Sequence, residues 1–440
     1  MHFFVGIVLA FSLSLPLLAS ELDISFDVEK YKLENGLTVL LYKDSSAPIV
    51  SHNIWYRVGS KDEEVGFTGL AHLFEHMMFR GTKKYPKKKF MELTESSGIQ
   101  KNAFTSSDYT GYYLIAPSSK LEIAIDIEAD RMKNLIVDQA ALNAEIEIVK
   151  EERRQRVDNN PRGLMYERLM ATLYKVHPYR WPVIGYMKDV ERVTPEKCIE
   201  FYDTFYSPNN AVLAIGGDID IEKTKSYIQK YFGSIKPSVL PERSNIVEPN
   251  QSRRRISKIK KEVQAPMLSL NYRSAKVGEE DGFALHLLSS ILGEGASSRL
   301  YDKIVYRDQD ATGLYAYNSG SQQDGFFQIF VAMKPNGKAR RMENKIAREI
   351  ERIQKKSVTQ RELQKAINQV SSTYVRGLTS IHGKTEALML NEILLGDYSY
   401  LFKDLKKYST VTTADIQRVA KKYLNKNSRV VIEVVPVKGK

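Results

Sequence analysis

Residues 69–81 read GLAHLFEHMMFRG, and five of them, His72-Leu73-Phe74-Glu75-His76, set what the rest of the chain has to build. Two histidines four apart on a helix project from one face, about 6 Å apart, so both imidazoles can close on one metal ion. Glu75 sits beside them. Imidazole is a common neutral zinc ligand, and a carboxylate that is not itself a ligand can take a proton from a water on the metal. Zinc lowers the pKa of such a water from about 15.7 to about 7, which supplies a nucleophile at neutral pH without a reactive side chain. The order H-x-x-E-H reverses the commoner H-E-x-x-H zinc motif. Leu70, Leu73, Phe74, Met77 and Met78 are packing residues, so the opposite face of this helix belongs to a core.

A hydrolytic zinc takes three protein ligands and keeps one position for water, so one ligand has to come from elsewhere. The helical stretch DQAALNAEIEIVKEERRQRV carries Glu145, Glu147, Glu151 and Glu152 and is the best source. Glu145 and Glu152 share one helix face, and Glu147 and Glu151 lie on another. Spacing alone does not choose between the two pairs. Between the two helices, residues 98–116 run from a polar turn into β-rich Tyr and Thr, a strand that can hold an extended peptide by main-chain hydrogen bonds.

With 440 residues, 42% hydrophobic and 27% charged, the chain is globular and has room for two domains of about 200 residues. Its single cysteine, Cys198, excludes an intramolecular disulfide and any CxxC metal site. Residues 1–20 are apolar from Phe3 to Ala19 and end in small residues before ELDISFD, the pattern of a secretory signal peptide and of a periplasmic mature protein. The segment has no Lys or Arg ahead of its apolar run, which leaves an uncleaved membrane anchor as the alternative. The net charge of +12 is concentrated in runs such as Lys87–Lys89 and Arg253–Lys261. No aromatic-basic interleaving accompanies them, so no nucleic-acid partner is expected; an anionic surface or acidic peptide fits them better.

Taken in order, KYKLENGLTVLLYKD alternates around Asn35-Gly36 as a hairpin does, APIVSHNIWYRVGS adds a strand, and Ala211–Ile215 is a buried strand late in the first half. Residues 235–261, rich in Pro, Ser, Asn and Arg, have the composition of a linker. The second half then restarts the first: APMLSLNYRS at Ala265 echoes APIVSHNIWYR at Ala47, and FALHLLSSILG at Phe283 overlays GLAHLFEHMMF at Gly69. In that overlay His286 falls on His72, but Ser289 and Ser290 replace Glu75 and His76. The expected architecture is therefore α+β, with a metal-bearing domain at 21–234 and a metal-less domain of the same fold at 262–440, each a mostly antiparallel sheet packed with helices.

These residues resemble the inverted-motif zinc metallopeptidases that include pitrilysin, insulin-degrading enzyme and the mitochondrial processing peptidase, and the length matches the short bacterial members. The likeness spans about residues 28–436. It rests on His72-x-x-Glu75-His76, Asn102-Ala103-x-Thr105 with Asp108-x-Thr110-x-Tyr112, His177-Pro178-Tyr179, Tyr206-x-Pro208-x-Asn210-Ala211 and Ser298-Arg299-Leu300-Tyr301. The resemblance implies one Zn2+ per chain, held by His72, His76 and Glu152, with Glu145 auxiliary and Glu75 catalytic. It implies substrate binding around Asn102, Ala103 and Thr105, and a fold forming half of a clam shell. Peptide-cleaving members draw an Arg and a Tyr, seven apart, from the opposite half. Those positions are Val305 and Thr312 here, with Arg307 and Tyr315 nearby in another register. A dimer is expected, with a sister chain that carries the pair and lacks HxxEH. The expected function is a zinc endopeptidase of the bacterial envelope; the alternative is a non-catalytic assembly subunit of the same architecture.

Overall fold

The computed structural model describes residues 25–437. The leader read at 1–20 lies outside the described residues. Two sheets form the frame. The first comprises β1 (Glu29–Lys32), β2 (Thr38–Lys43), β3 (Ile49–Tyr56), β4 (Gln100–Thr105), β5 (Thr110–Pro117) and β6 (Ala211–Gly217), in the order β1-β2-β6-β3-β5-β4. The second comprises β7 (Arg255–Lys261), β8 (Met267–Ser274), β9 (Ala311–Gly320), β10 (Gly325–Met333) and β11 (Val430–Pro436), in the order β7-β11-β8-β10-β9. Without β1 the two orders are the same. In each, only the last strand of the half runs parallel to a neighbour, the first strand of its own repeat, and every other pairing is antiparallel. The α+β duplication expected from the sequence is present.

The correspondence reaches single hydrogen bonds. In β3 the Asn53 amide donates to Ser51 Oγ at 2.9 Å, and in β8 the Asn271 amide donates to Ser269 Oγ at the same distance. All four residues are buried, so each polar group needs a local partner.

One face of each sheet carries helices from its own half, and the other face is covered by a helix from the opposite half. The helix Pro161–Leu173 lays Met165, Leu169, Met170 and Leu173 on Phe326, Phe330, Val430, Ile432 and Val434 of the second sheet. The helix Ile381–Leu395 lays Ile381, Leu388, Met389 and Ile393 on Leu40, Tyr42, Trp55, Val212 and Ala214 of the first. Polar ties reinforce the exchange. Asp108 accepts from Lys61 Nζ (2.7 Å), Tyr179 Oη (2.5 Å) and the Gln322 backbone N–H (3.0 Å), which joins three segments of the first half to the β9–β10 turn of the second. The Asp108-x-Thr110 and His177-Pro178-Tyr179 motifs thus meet at a clamp between the halves.

The stretch read as a linker over 235–261 differs from that expectation in two ways. Its last seven residues are strand β7, whose Arg-Ile-Ser-Lys-Ile-Lys-Lys sequence alternates between half-buried and exposed positions. The rest has no regular structure but is pinned. Arg243 reaches Asp62 (2.7 Å) and Asn210 (2.8 Å), and buried Glu248 accepts from the backbone N–H groups of Lys175, Val176 and His177. Composition reported the absence of a helix or strand period and could not report these long-range anchors.

Because each sheet is completed by the other half, unfolding should be one cooperative transition. Leu388→Ala empties a fully buried site against the first sheet, and Leu169→Ala does so against the second. Each is expected to cost about 2–5 kcal/mol. In urea titrations followed by the fluorescence of Trp55 and Trp181, both in the first half, each variant should shift a single transition to lower denaturant; two separated transitions would contradict the coupling.

Candidate metal centre

The HxxEH helix, Leu70–Met77, is only eight residues long, and both its ends are held by buried polar side chains. At its start the Glu63 carboxylate accepts from the backbone N–H groups of Gly69 (2.9 Å) and Ala71 (2.8 Å). At its finish Arg131, 2% exposed, donates to the Met78 carbonyl at 3.3 Å. Burial pushes Glu63 well above the usual carboxylate range, so its part is to satisfy two otherwise free N–H groups of the first turn, whereas the positive Arg131 also complements the C-terminal end of the helix dipole. Arg131 is itself paired with Glu128 and lies over the rings of Phe79, Phe90 and Tyr112. Gly69, at φ 92°, lets the chain turn into the helix beside Ile184, whose carbonyl would sit 2.6 Å from any added Cβ. Leu70, Leu73, Phe74 and Met77 pack into the core of the first half and fix the rotation of the helix.

That rotation turns His72 and His76 toward the helix Gln139–Arg153, with ring centroids 4.9 Å apart. Glu152 Oε2 lies 3.3 Å from His76 Nε2 and 3.7 Å from His72 Nε2, and the three donor atoms all fall within 4.8 Å of one another. Ligands about 2.0–2.1 Å from a tetrahedral zinc stand about 3.3 Å apart, so two nitrogens and one carboxylate oxygen at these separations fit the ion. The pair left open by spacing is resolved by geometry. Glu145 and Glu152 face the histidines, whereas Glu147 and Glu151 point outward and pair with Lys150 and Arg154.

Glu145 sits one layer back. Its Oε2 is 3.3 Å from His76 Nδ1, and its Oε1 accepts from Arg80 Nε. It therefore fixes the ring of His76, as an outer carboxylate does for a ligating imidazole. Arg156 Nε lies 3.0 Å from Glu152 Oε1 and holds the oxygen that faces away from the histidines. Glu75 is oriented by Thr105, whose Oγ1 donates to Glu75 Oε2 at 2.6 Å across from β4. Asn102, Ala103 and Thr105 line, with these groups, one cleft of about 970 Å³. All eight residues singled out from the sequence are brought together.

Electrostatics separates the groups by role. Burial, with the charge of His76 beside it, holds His72 below its ordinary value. Burial also opposes charge on His76, but its contacts with Glu145 and Glu152 outweigh that and lift it to about 9. The same His76 contact holds Glu152 below the usual carboxylate range. Glu75 moves the other way: burial raises it, against the Thr105 hydrogen bond and the His76 charge. A carboxylate displaced upward beside a cluster of metal-type donors holds a proton more readily than an exposed one, as a proton-transfer group needs to.

The sequence reading missed Glu63, Arg80, Arg131 and Arg156. Arg80 lies three residues beyond the end of the helix, so helix periodicity gave no signal for its contact with Glu145. Glu63 and Arg131 had none, because their partners are backbone groups at the ends of another element.

Residues 38–186 match the model of the insulinase family, peptidase family M16, and residues 192–370 match the peptidase M16 inactive domain. The zinc protease PqqE of Helicobacter pylori is 31% identical over 93% of each chain, and the uncharacterized zinc protease YmxG of Bacillus subtilis is 24% identical over 90% of this chain and 95% of its own. A crystal structure of a protease from Helicobacter pylori superposes with a TM-score of 0.88 at 28% identity, covering 94% of this chain and all of the other. The metal-type cluster lies in the half matched by the insulinase model, and the chain belongs to peptidase family M16.

Proposed function

We propose that this chain is a zinc-dependent endopeptidase in which His72, His76 and Glu152 hold the ion and Glu75 moves the proton. The observation that carries this reading is the convergence of those three donor atoms within 4.8 Å beside a carboxylate that is oriented but not among them. Zinc with three such ligands acidifies water and polarises a carbonyl. Glu75, one oxygen tied to Thr105, accepts the proton of the attacking water on its carboxylate and returns it to the leaving amine. Among the described residues the edge strand β4 pairs only with β5, so its outer edge is open to an extended peptide next to Glu75, with the Ala103 N–H held by the Asn102 side chain at 2.9 Å until a peptide displaces it. Asn102, Ala103 and Thr105 lie on that strand, and main-chain pairing there binds peptide with little regard to sequence.

Export to the bacterial periplasm is part of the same proposal and rests on the apolar leader at 1–20. Among the described residues no helix is long and apolar enough to cross a membrane. The proposal also includes a second chain. Val305 packs against the second-half core and Thr312 is exposed, and neither can hold a substrate carbonyl as Arg and Tyr do. Arg307 is paired with Asp302, and Tyr315 stacks on Phe330 with its hydroxyl on Gln328. We assign the missing pair to a sister chain without HxxEH.

Glu75→Gln should retain zinc by metal analysis while losing about 10²–10⁴-fold in cleavage of a fluorogenic peptide. His76→Ala should lose both; a Glu75→Gln variant with normal turnover would remove the mechanism. Glu145→Gln should weaken zinc binding by about 10–100-fold, because it frees the His76 ring without removing a ligand. With His76 lifted to about 9, it carries a proton at pH 7 that the ion must displace. Zinc affinity should therefore rise with pH up to about 9, and calorimetry in buffers of different ionisation enthalpy should register a released proton. The chain alone should cleave peptide at a small fraction of the rate reached with its sister chain; full activity as a homodimer would sink the assignment of the pair.

A further inference from the structure

The two halves differ most at the outer edge of the sheet. In the first, β1 pairs along β2, and the helix Ile221–Phe232, which follows β6, buries Ile228 and Phe232 in the core with Leu37, Val39, Leu41 and Leu213. In the second, β7 is the edge strand with no counterpart of β1, and among the described residues no helix follows β11. Strand register shows which positions of the two halves correspond. Ser51 pairs with Gly216 as Ser269 pairs with Ile432, and Leu41 pairs with Ile215 as Ile256 pairs with Val431. Val39 and Leu213, fully buried in the first half, therefore correspond to Arg254 and Arg429.

What remains is a groove of about 860 Å³ between β7 and the helix Ala339–Lys355, lined by seven cationic side chains against three carboxylates. Two of those carboxylates are already engaged: Glu343 with Arg254 and Arg429, and Glu433 with Lys258. Lys338, Arg340, Arg348 and Lys426 line it without a carboxylate partner of their own. The helix beside the groove has no acidic residue in its first turn, and of its two carboxylates in the groove Glu343 is paired with arginines, which leaves Glu351 against these four cations.

The backbone contributes a second feature. Arg255 N–H donates to the Arg429 carbonyl, and the Lys261 carbonyl accepts from Val437, so alternate residues of β7 bond to β11. The N–H and C=O groups of Ile256, Lys258 and Lys260 face outward. Lysines on an edge strand discourage pairing with neutral strands of other chains. The same charges favour a strand that carries carboxylates.

We propose that this groove binds an extended acidic segment of a partner polypeptide, added along β7 where the first half has β1. Its backbone would pair with Ile256, Lys258 and Lys260, and its carboxylates would meet Lys258, Arg340, Arg348 and Lys426. A concave groove with a free strand edge suits a single extended strand better than a bilayer or a duplex.

The test uses the full chain in a Glu75→Gln background, so that the probe is not consumed, and a fluorescein-labelled twelve-residue peptide alternating Glu and Val. Fluorescence anisotropy should report binding that weakens with salt, and no binding of a Gln-Val peptide of the same length. Reversing three exposed charges together, Arg340→Glu, Arg348→Glu and Lys426→Glu, should weaken the Glu-Val probe at least about tenfold with zinc content unchanged. Lys258→Pro, which removes an outward N–H, should weaken it more than Lys258→Ala; if the proline variant does not fold, the charge reversal carries the test. Equal binding of the two peptides, no loss on charge reversal, or tighter binding of phosphatidylglycerol vesicles or of a single-stranded oligonucleotide than of the Glu-Val probe would each overturn the proposal.

Discussion

An isolated eight-residue helix is not stable in water, because too few hydrogen bonds repay its nucleation. The histidines of this protein nevertheless depend on such a helix for their separation and aim. The constraint that makes it rigid is hydrogen bonding from buried side chains at both ends: Glu63 on the first N–H groups and Arg131 on a late carbonyl. Both groups are costly to bury, and their partners offset part of that cost: two N–H groups for Glu63, and Glu128 with three aromatic faces for Arg131. Once that helix is fixed, only one face of the glutamate helix can meet it, and the third donor follows.

The fixed helix sits in a frame that the chain completes by exchange. Equivalent helices of the two halves cross over, so that neither sheet has both faces covered by its own residues. A wall of the metal cleft and the packing of the second half then depend on the same helix, Pro161–Leu173: Gly163 and Tyr166 line the cleft while Met165 and Leu169 are buried in the second sheet's cluster. The helix therefore contacts the cleft on one side and the second sheet on the other.

Duplication supplies the frame twice and the chemistry once. His286 occupies the place of His72, but its Nδ1 is 2.8 Å from the Tyr408 hydroxyl, and Ser289 and Ser290 are buried where Glu75 and His76 face the cleft. Packing positions and the Ser-Asn hydrogen bond persist because the sheet requires them. The ligand positions are free to change because the sheet does not. The same freedom replaced the apolar floor of the first half's outer edge with arginines in the second.

The sequence by itself determined the two repeats, the α+β class, the HxxEH helix with its buried face, and the acidic helix as the source of carboxylates that meet the histidines. Each of these is a periodic or local property: alternation marks a half-buried strand, a 3.6-residue period marks a helix face, and four-residue spacing puts two imidazoles together. The tertiary structure decided which face of the acidic helix looks inward, how Thr105 orients Glu75, and that the Pro-rich stretch is pinned by Arg243 and Glu248. It also decided that each half covers the other's sheet and that one sheet edge is left open and basic. The physical reason is common to all of these: periodicity reports that a surface must be covered, but what covers it depends on packing between elements far apart in the chain, as Tyr42 and Ile381 are at a separation of 339 residues.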